Sequence, residues 1–280
     1  MGGVVAEPGQ RVAVVVEGGD DEVAWLVARG ARLCGRVGAR LDVLGVGAAD
    51  EERLSDLLDQ VPEAQRGRSR LLIGKPLDAI VEAGADYDAV VVRPSSSGVL
   101  HRLVRGDFAL QLIGAAPCAV LFPRGPERDW RDPVRALVGV FLADPGVPFL
   151  LAVDWAGRLG ALLDVSLTDP NVIPWVDDAD HRRELTSSVE DARADDRKAL
   201  DRLLASLPEG MRGVRRHGEG LPDDVLVDLA PDYDLVLVGN RPRGGLTGTL
   251  RGSIAEHVVR HARTDVLVLP SRRLVQGKTP

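Results

Sequence analysis

The sequence predicts two tandem α/β domains, each a doubly wound and mainly parallel sheet, and three observations predict it. Short all-apolar segments alternate with longer segments whose apolar residues recur at helical spacing, the pattern of strands buried between helices. Aromatic residues make up only 4% of the 280 residues while 45% are apolar, so Val, Leu, Ala and Ile must build the core. That composition suits parallel strands covered on both faces. The chain also repeats itself. Asp86-Tyr87-Asp88-Ala89-Val90-Val91-Val92-Arg93 matches Asp232-Tyr233-Asp234-Leu235-Val236-Leu237-Val238-Gly239 at five of eight positions, with an offset of 146. The same offset sets Arg105-Gly106 on Arg251-Gly252 and Val120-Leu121-Phe122 on Val266-Leu267-Val268, so duplication explains the register.

In the first copy Val12–Val16 reads as a buried strand that ends at the turn signal Gly18-Gly19. Asp20 to Val37 has helical spacing, Leu41–Val46 is a strand, and Glu51 to Gln65 is an amphipathic helix. A short strand is expected at Arg70–Ile73. Pro76, suited to a first helical turn, opens a helix to about Ala83. Ala89–Val92 is a strand, Asp107–Gly114 a helix and Ala119–Phe122 the last strand. The second copy repeats this from Ala136–Val140 to Val266–Leu269, with a longer second helix around Arg182–Leu207. Arg124 to Arg131, with Gly125, Pro126 and several charges, is a linker, so the expected domains are 1–125 and 132–280.

Bulk properties exclude several classes of function. A net charge of −7 disfavours binding along a nucleic-acid backbone, which needs a clustered basic surface. Cys34 and Cys118 form no CxxC pair and have no partner histidine at zinc-ligand spacing, which fits a reducing cytosol. The first residues, MGGVVAEPGQ, have no basic stretch leading into an apolar core, and Ala6 stands where a myristoylation signal has Ser or Thr. The longest apolar run, around Phe141 to Val153, is broken by Asp144, Pro145 and Pro148 and is too short for a membrane span. A soluble cytoplasmic protein is expected.

In doubly wound sheets ligands bind beyond the carboxyl ends of the strands, at a topological switch point. In the second copy the fourth strand runs there from Gly239 into Asn240-Arg241-Pro242-Arg243 and on to Gly252-Ser253, where a helix opens. Glycines at 239, 244, 245, 248 and 252 let the backbone approach a ligand closely. The free N–H groups and positive dipole end of the helix face the loop, and Arg241 and Arg243 add charge. These are the elements of a phosphate cradle.

This segment resembles the ATP-binding branch of the universal stress protein family, which has Gly-x2-Gly-x9-Gly-(Ser/Thr) at this place, followed by Ser-Glu-His-Val-hydrophobic-Arg-His-Ala. Here the spacing is Gly239-x2-Pro242-x9-Gly252-Ser253, followed by Ile-Ala-Glu-His-Val-Val-Arg-His-Ala. The resemblance covers both halves and implies a Rossmann-like fold. It places Gly239 at the ribose and first phosphate, and Gly252 and Ser253 at the later phosphates. It also implies ATP or a related adenine nucleotide as ligand, with Mg as the ion that accompanies it. Finally, it implies that Ala119–Phe122 and Val266–Leu269 pair edge to edge, which makes one chain an internal pseudo-dimer, with a further homodimer left open. Two departures stand out. Pro242 replaces the second glycine and removes an N–H. Phe141 stands where the family usually has an adenine-binding Asp, Asp144 being the nearest acid. The candidate binding residues are therefore Gly239, Asn240, Arg241, Pro242, Arg243, Gly252, Ser253 and Phe141.

The first copy departs further. Arg93 replaces the first glycine, Ser96 the second, and Asp107 the terminal serine. A carboxylate at that helix N-terminus occupies the anion position itself. Glu17 ends the first strand of this half without a phosphate cradle beside it, so the half reads as scaffold.

Other signals lead nowhere further. Glu17-Gly-Gly-Asp-Asp-Glu22 has acids where a pyrophosphate loop has serines. His257 and His261 lie one helical turn apart, but Val258 stands where a zinc helix has its Glu. Gly277-Lys278-Thr279 lacks the first Walker glycine, Arg272 standing in its place, and Gly45-Val46-Gly47 meets Asp50 where a dinucleotide fingerprint has its third glycine. No Ser/His/Asp or Cys/His set sits at a recognisable elbow, so no catalytic residue is expected. The expected role is a regulatory, nucleotide-binding stress-response protein. The alternative is a nucleotide-free interaction scaffold in which both sites are degenerate.

Overall fold

A computed structural model describes residues 10–17, 23–93, 107–125, 129–140, 146–169, 194–195, 197–240 and 254–270. In chain order the strands are β1 Arg11–Glu17, β2 Arg40–Val46, β3 Arg66–Leu71, β4 Ala89–Val91, β5 Ala119–Phe122, β6 Arg135–Val140, β7 Leu162–Asp169, β8 Arg212–Glu219, β9 Leu235–Gly239 and β10 Asp265–Leu269. Between them lie the helices α1 Ala24–Val37, α2 Glu51–Asp59, α3 Pro76–Gly84, α4 Asp107–Ala115, α5 Gly146–Leu159, α6 at 197–206, α7 Pro222–Leu229 and α8 Ile254–His261.

All ten strands join one sheet in the order β3-β2-β1-β4-β5-β10-β9-β6-β7-β8. Within each half the neighbours are parallel, and each half reverses its strand order beside its first strand. The halves meet where β5 and β10 run antiparallel, Phe122 opposite Val266 and Val120 opposite Val268, as the resemblance implies. Because the pairing is antiparallel, the carboxyl ends of the two sets of strands lie at opposite ends of the sheet.

Strand side chains alternate between faces with period two, which gives the sheet two apolar layers. On one face Val12, Val14, Ala136, Val138 and Leu267 pack beneath α1, α2, α5 and α6; on the other Ala13, Val15, Val236, Val266 and Val268 pack beneath α3, α4, α7 and α8. Helices also meet across the seam, α1 against α5 and α4 against α8.

A buried polar cluster is built twice, below the amino end of each half. Asp42 sits where the β2–β3 register shifts, and it accepts from the Arg68 amide at 2.9 Å, from the Tyr87 hydroxyl at 2.9 Å and from the Arg11 guanidinium. Asp164 sits at the matching shift between β7 and β8, and it accepts from the Val214 amide and the Tyr233 hydroxyl, each at 2.7 Å. Gly67 and Gly213 face these carboxylates, and a Cβ on either would lie 2.0 Å from the Asp Oδ1. Only glycine leaves the carboxylate that room. The Asp-Tyr-Asp repeat legible in the sequence is the second half of this device, and its last carboxylate accepts from the strand start: Asp88 from the Arg11 amide, and Asp234 from the Arg135 amide.

A second polar cluster locks the seam. Asp265, fully buried at the start of β10, accepts from the buried Arg29 of α1 at 3.1 Å, from the Arg124 amide at 2.7 Å and from Trp130 Nε1 at 2.9 Å. Arg29 also donates to the Gly125 carbonyl, so one carboxylate fastens the linker and the first half to the second.

Two boundaries differ from the sequence reading. The third strand is Arg66–Leu71 rather than Arg70–Ile73, and Ile73 is 92% exposed. Its counterpart β8, equally rich in arginine, gave no apolar run at all. Both are edge strands, paired on one side only, so neither needs a continuous apolar segment, and their charges discourage further pairing. The helix expected over Glu51–Gln65 stops at Asp59, ahead of Pro62.

Cys34 and Cys118 are free and buried, and burial pushes each thiol up to about 12. Both should therefore resist a disulfide reagent at pH 8 until urea unfolds the chain, and rapid labelling of either in the native protein would contradict the packing. The sign of the pH dependence follows. Raised folded-state values give stability that is whole below the ordinary thiol value of about 8.5 and is lost as pH climbs towards 12.

Candidate functional site

The reversal of strand order in the second half lies between β6 and β9, so the carboxyl ends of these strands define the site. Gly239 closes β9 there. A Cβ at this position would lie 2.4 Å from the Pro148 side chain in the first turn of α5, so the glycine lets that helix approach the strand end. Pro148 was not singled out from sequence; the Pro-Gly-Val-Pro run after β6 is the signal that marks it, since proline suits a first helical turn.

Asn240 follows. Its amide donates to the Leu269 carbonyl at 2.9 Å, which continues the β9–β10 ladder by one residue. Its side-chain Nδ2 donates to the carbonyl of Ile113, in α4 of the other half. The candidate loop therefore begins with a residue tied on both sides, and the Asn240 amide is directed at the seam. Arg241, Pro242, Arg243, Gly252, Ser253 and Phe141 lie outside the described residues. The described structure resumes at α8, whose first residue, Ile254, follows the Gly252-Ser253 pair directly. A strand ending in glycine and a helix opening after Gly-Ser are thus in place around the loop.

Helix α8 has Glu256 in its first turn and Arg260 and His261 in its last, in the sense that suits the helix dipole. Glu256 and Arg260 form an i,i+4 ion pair at 2.8 Å. His257 lies against two carboxylates of α7, with Nε2 3.1 Å from Asp224 and Nδ1 3.8 Å from Asp223, and its ring stands 4.2 Å from that of His261. His257 thus helps join α7 to α8. Among the described residues no group of three or more His, Cys, Asp or Glu could hold a metal ion.

The equivalent end of the first half is built differently. Glu17 closes β1 with 5% exposure. Arg93, in register with Gly239, carries its guanidinium over the Trp25 ring at 5.9 Å from the centroid. Where the second half presents bare backbone against Pro148, the first has a cation lying over an indole of α1.

Comparison with known proteins bears on the second half most directly. Residues 143–270 match the model of the universal stress protein family, a segment that spans α5, β9, the whole glycine-rich loop and β10. This segment of the chain is similar to the domain of the universal stress protein family. A universal stress protein of Mycobacterium tuberculosis is 28% identical over 212 residues, covering 72% of this chain and 68% of the relative. One of Mycolicibacterium smegmatis is 30% identical over 201 residues, covering 69% and 65%. Alignments of that length run beyond the second half into the first. The crystal structure of a universal stress protein from Archaeoglobus fulgidus covers 93% of this chain and 98% of its own at a TM-score of 0.61 and 15% identity. A Pseudomonas aeruginosa protein of unknown function covers 94% and 92% at a TM-score of 0.66 and 23% identity. Both cover nearly all of this chain, and at those identities they speak for the fold alone. Among the described residues no helix is long and apolar enough to cross a membrane.

Proposed function

We propose that this chain is a cytoplasmic, non-enzymatic universal stress protein that binds one adenine nucleotide, ATP or a close relative, through the loop that follows β9. The observation that carries this reading is the sequence of the loop itself: Gly239 ends the strand and Gly252-Ser253 precedes the helix, at the spacing of the ATP-binding branch. The family match runs through the whole of this segment. On this reading the first N–H groups of α8 and Ser253 hold the phosphates, Arg241 and Arg243 add attraction, and any Mg2+ arrives with the phosphates. The first half contributes no second site, because Arg93 lies over Trp25 and Asp107 opens α4.

One observation favours a second reading, a nucleotide-free interaction scaffold. Pro148 lies against the face of Gly239 that the glycine would otherwise leave open.

The two separate cleanly by experiment. Mass spectrometry of the denatured, freshly purified protein should release an adenine nucleotide, and calorimetric titration with ATP should give about one site per chain. Ser253→Asp copies Asp107 into the second half and sets a carboxylate where phosphate would lie, an effect worth about 0.3–2 kcal/mol before its repulsion of the ligand. At a ligand concentration 100 times the dissociation constant, ATP should stabilise the parent by about 2.7 kcal/mol. The variant should lose most of that shift while melting unchanged without ligand, since Asp caps a helix as well as Ser. An undiminished ATP shift in the variant would exclude this loop, and two equal sites in the parent would refute the account of the first half.

A further inference from the structure

We infer that the outer edge of β3 is a docking site for an extended, acidic segment of another protein, which adds to the sheet as a further strand. Its backbone continues the ladder, and its carboxylates meet Arg68 and Arg70. The inference is independent of the nucleotide reading above.

Strands β3 and β8 end the sheet, so each turns one row of backbone N–H and C=O groups away from every described strand. The duplication relates the two edges, yet their arginines are used differently. On β8, Arg212 donates to the carbonyls of Leu207 and Ala205 at 2.7 and 2.8 Å. Arg215 holds both oxygens of Asp201 at 2.9 Å, and Arg216 donates to the Tyr233 hydroxyl at 2.7 Å and stands 3.3 Å from Asp164. All three are committed to their own chain. On β3, Arg66 is likewise paired, with Asp59 at 3.2 Å. Arg68 and Arg70 are exposed, and among the described residues neither has a carboxylate partner. The offset of 146 sets them against Val214 and Arg216. Arg68 is thus a cation that the second half lacks, and Arg70 is one that the second half neutralises. Beyond them the chain continues to Ile73, whose side chain is 92% exposed.

Charge selects the occupant. The chain has a net charge of −7, so two exposed cations without partners on an open edge run against the rest of the molecule. A second copy fits poorly, because β3 set against β3 or β8 brings arginine to face arginine, and like charges directly opposite destabilise a strand pair. An incoming strand with Asp or Glu at alternate positions has its carboxylates on one face, at the two-residue spacing of Arg68 and Arg70. An apolar residue beyond them can cover Ile73. Main-chain hydrogen bonds then supply affinity and the side chains supply choice, as in other cases of strand addition. A nucleic acid would engage the cations but leave the backbone row unused, and two cations are few for a phosphate backbone.

Fluorescence anisotropy on the full chain, with the labelled peptide Thr-Glu-Val-Glu-Val-Glu-Thr as probe, tests the inference. The peptide should bind, less tightly as salt is added. Its counterpart with Lys for Glu should not bind, and the version with Pro for both Val should bind far more weakly, having lost N–H groups from its backbone. Arg68→Gln combined with Arg70→Gln should weaken binding about three- to thirtyfold, as expected for two exposed ion pairs, and leave the melting temperature unchanged. Arg215→Gln, on the other edge, should bind as the parent does. With peptide present, hydrogen exchange should slow over residues 66–72 and stay unchanged over 212–219. Parent-like affinity in the double variant or for the proline peptide overturns the inference, as does protection of β8 in place of β3. Tighter binding of an oligothymidylate than of the peptide would make the edge a nucleic-acid contact instead, and no peptide binding at millimolar concentration would remove the docking site altogether.

Discussion

Asp265→Ala should destabilise the chain by about 3–5 kcal/mol, the largest effect expected of any single side chain described above. The carboxylate lies 1% exposed against an Arg29 side chain only 3% exposed. Its removal leaves a buried guanidinium without that charge, and the Trp130 and Arg124 N–H groups without their acceptor. The cost is that of stranding groups, so a second variant separates it from the worth of the pair. Arg29→Met combined with Asp265→Leu removes both charges together and should recover the part of the loss that comes from the stranded guanidinium, since apolar replacement of a buried ion pair is often neutral. Urea denaturation of the two single variants and the double variant measures the coupling. A loss below about 1 kcal/mol in Asp265→Ala would mean that water reaches the seam.

Asp164→Ala is expected to follow, at about 3 kcal/mol or more, because the Val214 amide and the Tyr233 hydroxyl lose their shared acceptor in a buried site. Tyrosine absorbance gives this prediction a second readout. Tyr87 and Tyr233 are the chain's two tyrosines, and each belongs to one of the duplicated clusters. Burial first, and then the hydrogen bond to Asp42 or Asp164, holds both phenols well above their ordinary range. A raised folded-state value means stability that is complete below about pH 10 and falls away as the pH rises further. The parent should therefore show tyrosinate only as it unfolds in alkali. In Asp164→Ala one phenol should ionise earlier and the other stay in step with unfolding. Simultaneous early ionisation of both would show that the clusters do not act separately.

The strands in the interior of the sheet were legible because burial on both faces demands unbroken apolar runs, as in Val12–Val16 and Leu235–Val238. The edge strands β3 and β8 were not, since half-paired strands tolerate Arg68, Arg70 and Arg215. The duplicated Asp-Tyr-Asp was visible as a repeat, but its purpose was not. The carboxylate that receives each phenol lies on a strand far away in sequence, and the glycine that makes room for it looks like any loop glycine. The seam was foreseen as a pairing of last strands, by resemblance. The charge pair that locks it was not, since nothing local links Arg29 in a helix to Asp265 at a strand start. At the candidate site, Gly239 and the helix after Gly252-Ser253 could be read from spacing. Pro148 and the reach of Asn240 to Ile113 could not, because both depend on how neighbouring elements pack.

The seam also sets an order of events on the ribosome. Across the seam β5 pairs with β10, so that edge of β5 has no strand to meet until residues 265–269 have been made. At about 5–20 residues per second, translation from Leu121 to Leu267 takes roughly 7–30 s. Throughout that interval the nascent first half has an open strand edge, and Arg29 is without the carboxylate that later neutralises it. The last of the described strands to emerge is the one that completes the first half.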